Sequence, residues 1–93
     1  MGFERVGGED RGEITLYALS TCVWCHKTKK HLQDLVAEFR YVYVDLLEGA
    51  DRDKTLEEVK RHNPNITFPT TVIDGEKSII AFKESEMKEA LGL

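Results

Sequence analysis

Residues 14–19 form a short and almost entirely apolar run, and this run limits the possible folds more than any other feature of the sequence. A run of this length and composition is typical of a strand that is buried on both faces. Such a strand needs helices on both sides of its sheet, as in α/β proteins with parallel strands. The run therefore predicts an α/β fold with this strand at the centre of the sheet.

The rest of the chain alternates between helical and extended patterns. A helix is predicted over residues 23–39 because apolar residues recur at three- and four-residue steps up to Phe39. The other predicted elements are strands over residues 41–46, 67–73 and 78–82, a helix from Asp51 or Lys54 to His62, and a helix over residues 85–91. The order β-α-β-α-β-β-α predicts a four-stranded mixed sheet flanked by helices, since strand–helix–strand units favour parallel pairing.

The size and charge of the chain restrict its organisation and its partners. The 93 residues leave room for one domain. We expect a flexible N-terminal tail over residues 1–13, where glycines lie among charged residues, and one folded domain over residues 14–93. The net charge of −4 argues against nucleic acid as a partner. Neither a membrane-spanning run nor a signal-peptide pattern is visible, so we expect a cytoplasmic monomer without a membrane partner.

The two cysteines of the chain stand as Cys22-Val23-Trp24-Cys25, directly after the central strand. A disulfide between them would close too short a loop to stabilise the fold much, so chemistry explains the spacing better. At the start of a helix, free backbone N–H groups and the helix dipole favour a thiolate. Helical periodicity places Cys25 on the apolar stripe and Cys22 at its edge or outside it. We therefore predict that Cys22 attacks a target disulfide and that Cys25 resolves the mixed disulfide.

Three other interpretations of these cysteines stay open at this point. The sequence Cys22 to His26 matches the C-x-x-C-H pattern of covalent haem attachment. Zinc would need two more ligands besides the thiolates, and the chain offers His26, His31 and His62. The two cysteines could also be core residues without chemistry, since free cysteine is often buried.

Two motifs of the chain resemble the glutaredoxin-like family of the thioredoxin-fold superfamily. They are the stretch Leu-Ser-Thr-Cys-Val-Trp-Cys-His that starts at Leu19, and Phe-Pro-Thr at residues 68–70. The resemblance extends from Ile14 onward and implies a thioredoxin fold. It also implies a thiol–disulfide oxidoreductase that uses no cofactor or metal, acts on disulfide-containing protein substrates and is recycled by a reductase protein or a low-molecular-weight thiol. The substrate-binding residues that it implies are Thr21, Trp24, Phe68, Pro69, Ala81 and Phe82, with a cis bond between Phe68 and Pro69.

The chain departs from glutathione-using glutaredoxins at two places. These proteins typically carry a basic residue just ahead of the first cysteine, where this chain has Leu19. They also carry a glycine pair followed by acidic residues after the fourth strand, where this chain has Ala81, Phe82 and Lys83. The stretch resembles NrdH-type redoxins, which a thioredoxin-reductase-like enzyme recycles and which supply electrons to ribonucleotide reductase. We therefore expect a thioredoxin-reductase-like or ferredoxin-linked donor. The alternatives are a glutathione-dependent glutaredoxin and a metal- or iron–sulfur-binding module.

Overall fold

Strands and helices alternate along the chain in the computed structural model, which describes residues 3–93. The elements are β1 (Glu4–Val6), β2 (Ile14–Ala18), α1 (Val23–Asp34), β3 (Phe39–Tyr43), a 3-10 turn (Val44–Leu46), α2 (Gly49–His62), β4 (Thr70–Ile73), β5 (Lys77–Ile80) and α3 (Glu84–Ala90). The predicted α/β class and the order of elements from residue 14 onward are confirmed. No helix within residues 3–93 is long and apolar enough to span a bilayer.

The five strands within residues 3–93 form one mixed sheet in the order β1-β3-β2-β4-β5. Strand β2 lies at its centre, parallel to β3 and antiparallel to β4, and all five of its residues are buried. Strands β4 and β5 are joined by a turn at Asp74 and Gly75, both with positive φ. A strand buried on both faces was the first prediction from the sequence, and β2 confirms it.

The prediction of four strands was one strand short, because β1 lies inside the segment that we expected to be a flexible tail. Strand β1 pairs antiparallel with β3, from Glu4 opposite Tyr41 to Val6 opposite Phe39. Further along, the N–H of Glu9 donates to Val36 O over 2.7 Å. These contacts join residues far apart in sequence, and the polar, glycine-containing segment carries no local pattern that reveals them. Residues 1 and 2 of the predicted tail lie outside the described residues.

Helix α1 ends earlier than predicted, at Asp34 instead of near Phe39. Val36 adopts a left-handed conformation with φ of 56°, its N–H donates to Gln33 O, and the N–H of Ala37 donates to Leu32 O. This pair of bonds is the Schellman motif that commonly ends helices. Phe39 is buried as the first residue of β3, so it reaches the core from a strand and not from the predicted helical stripe.

Hydrophobic clusters cover both faces of the sheet. The larger one joins β2 to α1 and α3 and contains Leu16, Leu32, Phe39, Ile79 and Met87, each at most 1% exposed. The other lies under α2 and contains Tyr17, Val42, Val44, Val59 and Val72. The larger cluster includes Cys25, so the packing of the sheet reaches directly to the start of α1.

Candidate active site at the start of helix α1

Cys22 is the N-cap residue of α1. Its backbone is extended, and its Sγ accepts a hydrogen bond from the N–H of Cys25 over 3.2 Å. An N-cap side chain satisfies one of the free N–H groups at a helix start, and the helix dipole at that end favours a negative charge. Cys22 is partly exposed. Its sulfur therefore lies at the positive end of the helix dipole, at a place that another molecule can reach.

Cys25 lies behind Cys22 and is only 1% exposed. Burial, followed by the hydrogen bond with the side chain of Cys22, raises the pKa of the Cys25 thiol from 9.0 to about 12. Burial has this effect because a low-dielectric environment disfavours the charged thiolate. The two sulfurs therefore differ in exposure and in their hydrogen-bonding environment, which is the asymmetry that the helical spacing predicted.

Trp24, which stands between the two cysteines in sequence, lines a cavity of about 240 Å³ together with Phe68, Pro69, Ala81 and Phe82. These are five of the six substrate-binding residues that the family resemblance implied. The sixth, Thr21, is exposed and is not among the lining residues. The Phe68–Pro69 bond is cis, in agreement with the expectation.

The rings of Trp24 and Phe82 form one wall of this cavity. Their centroids are 6.0 Å apart with an angle of 32° between the planes, and Trp24 is 55% exposed. Ala81 precedes Phe82 in a left-handed conformation, with φ of 69°, and its N–H donates to Pro69 O over 2.9 Å. This hydrogen bond ties the segment after β5 to the proline and fixes the width of the cavity at that side.

The loop between β2 and Cys22 is held by hydrogen bonds that the sequence did not predict. The carboxylate of Asp45 accepts hydrogen bonds from the N–H and the hydroxyl of Ser20, and these bonds lower the pKa of Asp45. His26 donates from Nε2 to Ser20 O over 2.8 Å, and its ring lies 5.9 Å from that of Tyr43. Asp45 lies two residues after the end of β3, and the carboxyl ends of the parallel strands β2 and β3 lie at the same end of the sheet. The position of Asp45 after a strand that pairs in parallel with β2 was the sequence feature that could have indicated this contact.

Two of the three lysines of α1 lie over aromatic rings. Lys27 Nζ lies 4.4 Å from the centroid of the Trp24 ring, and Lys29 Nζ lies 3.9 Å from that of Tyr41. Lys30 instead forms an exposed ion pair with Asp34 over 3.2 Å. The sequence places all three lysines on the helix that carries the cysteines, and the structure assigns each a different contact.

The described part of the chain, residues 3–93, contains no group of three or more His, Cys, Asp or Glu side chains that could hold a metal ion. His26, the histidine nearest to the cysteines in sequence, donates to a backbone carbonyl instead.

Comparison with known proteins gives a consistent result. Residues 14–78 match the family model for glutaredoxin. The structure is similar to that of the glutaredoxin from Methanosarcina mazei Go1, with 54% identity, a TM-score of 0.94, and coverage of 100% of this chain and 90% of the other. It is also similar to methanoredoxin from Methanosarcina acetivorans, with 53% identity, a TM-score of 0.90, and coverage of 92% and 90%.

A more distant relative is an uncharacterized glutaredoxin-like 8.6 kDa protein from a rubredoxin operon of Clostridium pasteurianum. It is 32% identical over 78 residues, which are 84% of this chain and 96% of that protein. The likeness to NrdH-type redoxins is weaker than to the two Methanosarcina proteins. NrdH-redoxin from Escherichia coli is 25% identical, with a TM-score of 0.64 and coverage of 83% and 92%.

Proposed function

The chain belongs to the glutaredoxin family of thiol–disulfide oxidoreductases, and on that basis we propose that Cys22 and Cys25 reduce protein disulfides by dithiol exchange. One observation carries the proposal. The Sγ of Cys22 accepts a hydrogen bond from the N–H of Cys25 over 3.2 Å at the helix start, while the Cys25 thiol is buried behind Cys22. This arrangement separates an attacking sulfur from a resolving sulfur.

The exchange takes two steps. The Cys22 thiolate attacks one sulfur of the target disulfide, forms a mixed disulfide and releases the other target sulfur as a thiolate, which takes up a proton. The Cys25 thiol then loses its proton and attacks Cys22 Sγ. This forms the Cys22–Cys25 disulfide and releases the second target sulfur, which is protonated in turn. Two electrons pass to the target, and a reductase must return two electrons to the chain.

The cavity beside Trp24 would hold the residues of the target that flank its disulfide. Neither the N–H nor the C=O of Phe68 bonds to another residue of the described chain, so both are free to pair with an extended segment. Such backbone pairing holds a peptide without regard to its sequence. The apolar walls formed by Trp24 and Phe82 would cover the side chains next to the target cysteine. Thr21 lies at the exposed edge of the loop and would contact the target only at its rim.

As electron donor we propose a thioredoxin-reductase-like or ferredoxin-linked reductase protein in the cytoplasm, acting on a monomer. Support comes from the cavity wall, where glutathione-using relatives typically carry small glycines. Here the ring of Phe82 packs on Trp24, and Ala81 adds a methyl group at a left-handed position. These side chains take up space that a tripeptide thiol would need. The absence of a basic residue at Leu19 removes a further contact for its carboxylates.

The test is a comparison of donors. The oxidised protein, with a protein disulfide as final acceptor, is supplied with NADPH and a thioredoxin reductase, with a reduced ferredoxin-linked reductase, or with glutathione and its reductase. We expect turnover with one of the two reductase proteins and little with glutathione. Efficient turnover with glutathione alone would contradict the proposed donor. Elemental analysis of the same preparation tests the alternative of a metal or iron–sulfur module, because a stoichiometric metal would contradict a free dithiol.

A further inference from the structure

Helix α1 is a basic element in an acidic protein. It carries three lysines and one aspartate, a net charge of +2, whereas the whole chain has a net charge of −4. The residues outside α1 therefore carry −6. Helix α3, on the same face of the sheet, contributes to that negative charge with Glu84, Glu86 and Glu89 against Lys88. The helix that holds Cys22 and Cys25 thus carries a net positive charge in an acidic protein.

Lys27 places one of these charges beside the active site. Its Nζ lies 4.4 Å from the centroid of the Trp24 ring, and Trp24 stands between the two cysteines in sequence. A cation over an exposed aromatic ring is held there by the ring quadrupole. Lys27 forms no ion pair within residues 3–93, whereas Lys30 pairs with Asp34 and Lys83 pairs with Glu86. Lys27 is therefore available for an anionic group of a bound molecule.

The surface around Lys27 continues the substrate cavity. A second cavity of about 320 Å³ shares Phe82 with the first, and its walls include Lys27, Lys30 and His31. Asp34 and Glu84 also line it. Asp34 is engaged by Lys30, and Glu84 belongs to the first turn of α3. A segment that leaves the Trp24–Phe82 wall in this direction meets the ammonium group of Lys27.

From this placement we propose that Lys27 selects target disulfides whose cysteines are flanked by acidic residues. The occupant is an acidic polypeptide segment: its cysteine lies at Cys22, its neighbouring side chain packs on Trp24, and its carboxylate pairs with Lys27. This inference rests on the proposed function and specifies its substrate class. It also runs against the net charge of the protein, which by itself would favour basic targets.

The experiment uses three cyclic peptides, each with one internal disulfide, that differ only in having Glu, Gln or Lys beside both cysteines. The rate of oxidation of the fully reduced protein by each peptide is followed through the fluorescence of Trp24, the only tryptophan. At low ionic strength, we expect the Glu peptide to react about fivefold faster than the Lys peptide. Because screening weakens exposed charges, the ratio should approach one at about 0.5 M salt.

Two variants identify the source of the preference. In Lys27→Glu the ratio of the Glu-peptide rate to the Lys-peptide rate should fall below one. Lys77→Glu makes the same change of charge at the start of β5, at the opposite end of that strand from Ala81, and should keep the ratio above one. A preference that survives Lys27→Glu, or equal rates for all three peptides with the unaltered chain, overturns the inference. If none of the peptides oxidises the protein, the proposed function itself fails.

Discussion

The carboxylate of Asp45 accepts two hydrogen bonds from Ser20, one from its backbone N–H over 2.8 Å and one from its hydroxyl. Ser20 stands two residues before Cys22, and Asp45 follows the neighbouring parallel strand. Asp45, which follows β3, therefore holds the loop that follows β2. His26 holds the same loop from the helix side by donating to Ser20 O. The position of Cys22 thus depends on two side chains that take no part in the exchange.

Removing this support should weaken the fold in a pH-dependent way. Asp45→Ala should lower the free energy of unfolding at neutral pH by about 1 kcal/mol, since hydrogen bonds to a charged group are lost at an exposed site. The bonds from Ser20 lower the pKa of Asp45 below 3.8 in the native state. The stabilisation is therefore fully present above the unfolded-state pKa of 3.8, and it is lost as the pH falls through the lower pKa of the native state. Urea unfolding of both proteins at neutral and at acidic pH measures the difference, and a difference that does not shrink in acid would contradict this account.

Gly8 and Gly7 offer a matched pair for testing how the segment after β1 packs. A Cβ at Gly8 would lie 2.6 Å from Val36 O and 2.8 Å from the carbonyl carbon of Ala37, whereas a Cβ at Gly7 meets nothing within 4 Å. Gly8→Ala should therefore destabilise the protein by about 1–3 kcal/mol, because backbone atoms cannot give way cheaply. Gly7→Ala should be neutral or slightly stabilising. Chemical denaturation of the two variants gives the comparison, and equal stabilities would show that the segment after β1 does not pack against Val36 and Ala37 as described.

Val36 occupies the position after α1 where glycine is usual. Its φ of 56° strains a β-branched residue, and its side chain is 56% exposed, so little packing is lost on truncation. Val36→Gly should raise the free energy of unfolding by about 0.5–1 kcal/mol. The gain arises because the relief of backbone strain exceeds the cost of the greater conformational entropy of glycine in the unfolded chain. Gln33→Gly, at an exposed position inside the helix, should instead cost about 1 kcal/mol. Thermal unfolding measures both changes, and a loss of stability in Val36→Gly would refute the argument.

The buried thiol predicts how stability depends on alkaline pH. Cys25 has a native pKa of about 12, raised from 9.0 chiefly by burial. Between these values the unfolded chain releases the proton while the native chain keeps it, so the reduced protein loses stability as the pH rises. Tyr17, whose pKa burial and Glu58 raise to about 12, acts in the same direction. When the free energy of unfolding in urea is compared at about pH 8 and about pH 10.5, it should fall less in Cys25→Ala than in the unaltered protein. An identical loss in the two proteins would contradict the assignment.

Local patterns in the sequence predicted the centre of the fold but not its edges. The apolar run at β2 and the glycine turn at Gly75 each depend on residues adjacent in the chain, and both were predicted correctly. Strand β1 depends on pairing with β3 more than thirty residues away, as in Arg5 opposite Arg40. No property of a short polar segment indicates that partner. The end of α1 was misplaced because Phe39 continues the helical spacing by chance, while pairing of β3 with β2 decides its conformation.

The residues of the site were likewise predicted only where local sequence patterns indicated them. Helical spacing alone was enough to distinguish an inward Cys25 from an outward Cys22, and the family motifs indicated the cavity residues Trp24 and Phe68. The supporting residues Asp45 and Ser20 were missed because their hydrogen bonds join two loops, which become neighbours only when parallel strands pair. The contact of Lys27 with Trp24 likewise depends on the exact direction of two side chains.

The difference between the two sulfurs is tested most directly by covalent trapping. The Cys25→Ser and Cys22→Ser variants, both reduced, are mixed with a disulfide-containing protein and separated without reductant. Cys25→Ser should accumulate a mixed disulfide through Cys22, which mass spectrometry locates, because no resolving thiol remains to release the target. Cys22→Ser should accumulate none at neutral pH, since the remaining thiol is buried and protonated. Equal trapping by the two variants, or trapping through Cys25 alone, would contradict the assignment of Cys22 as the attacking residue.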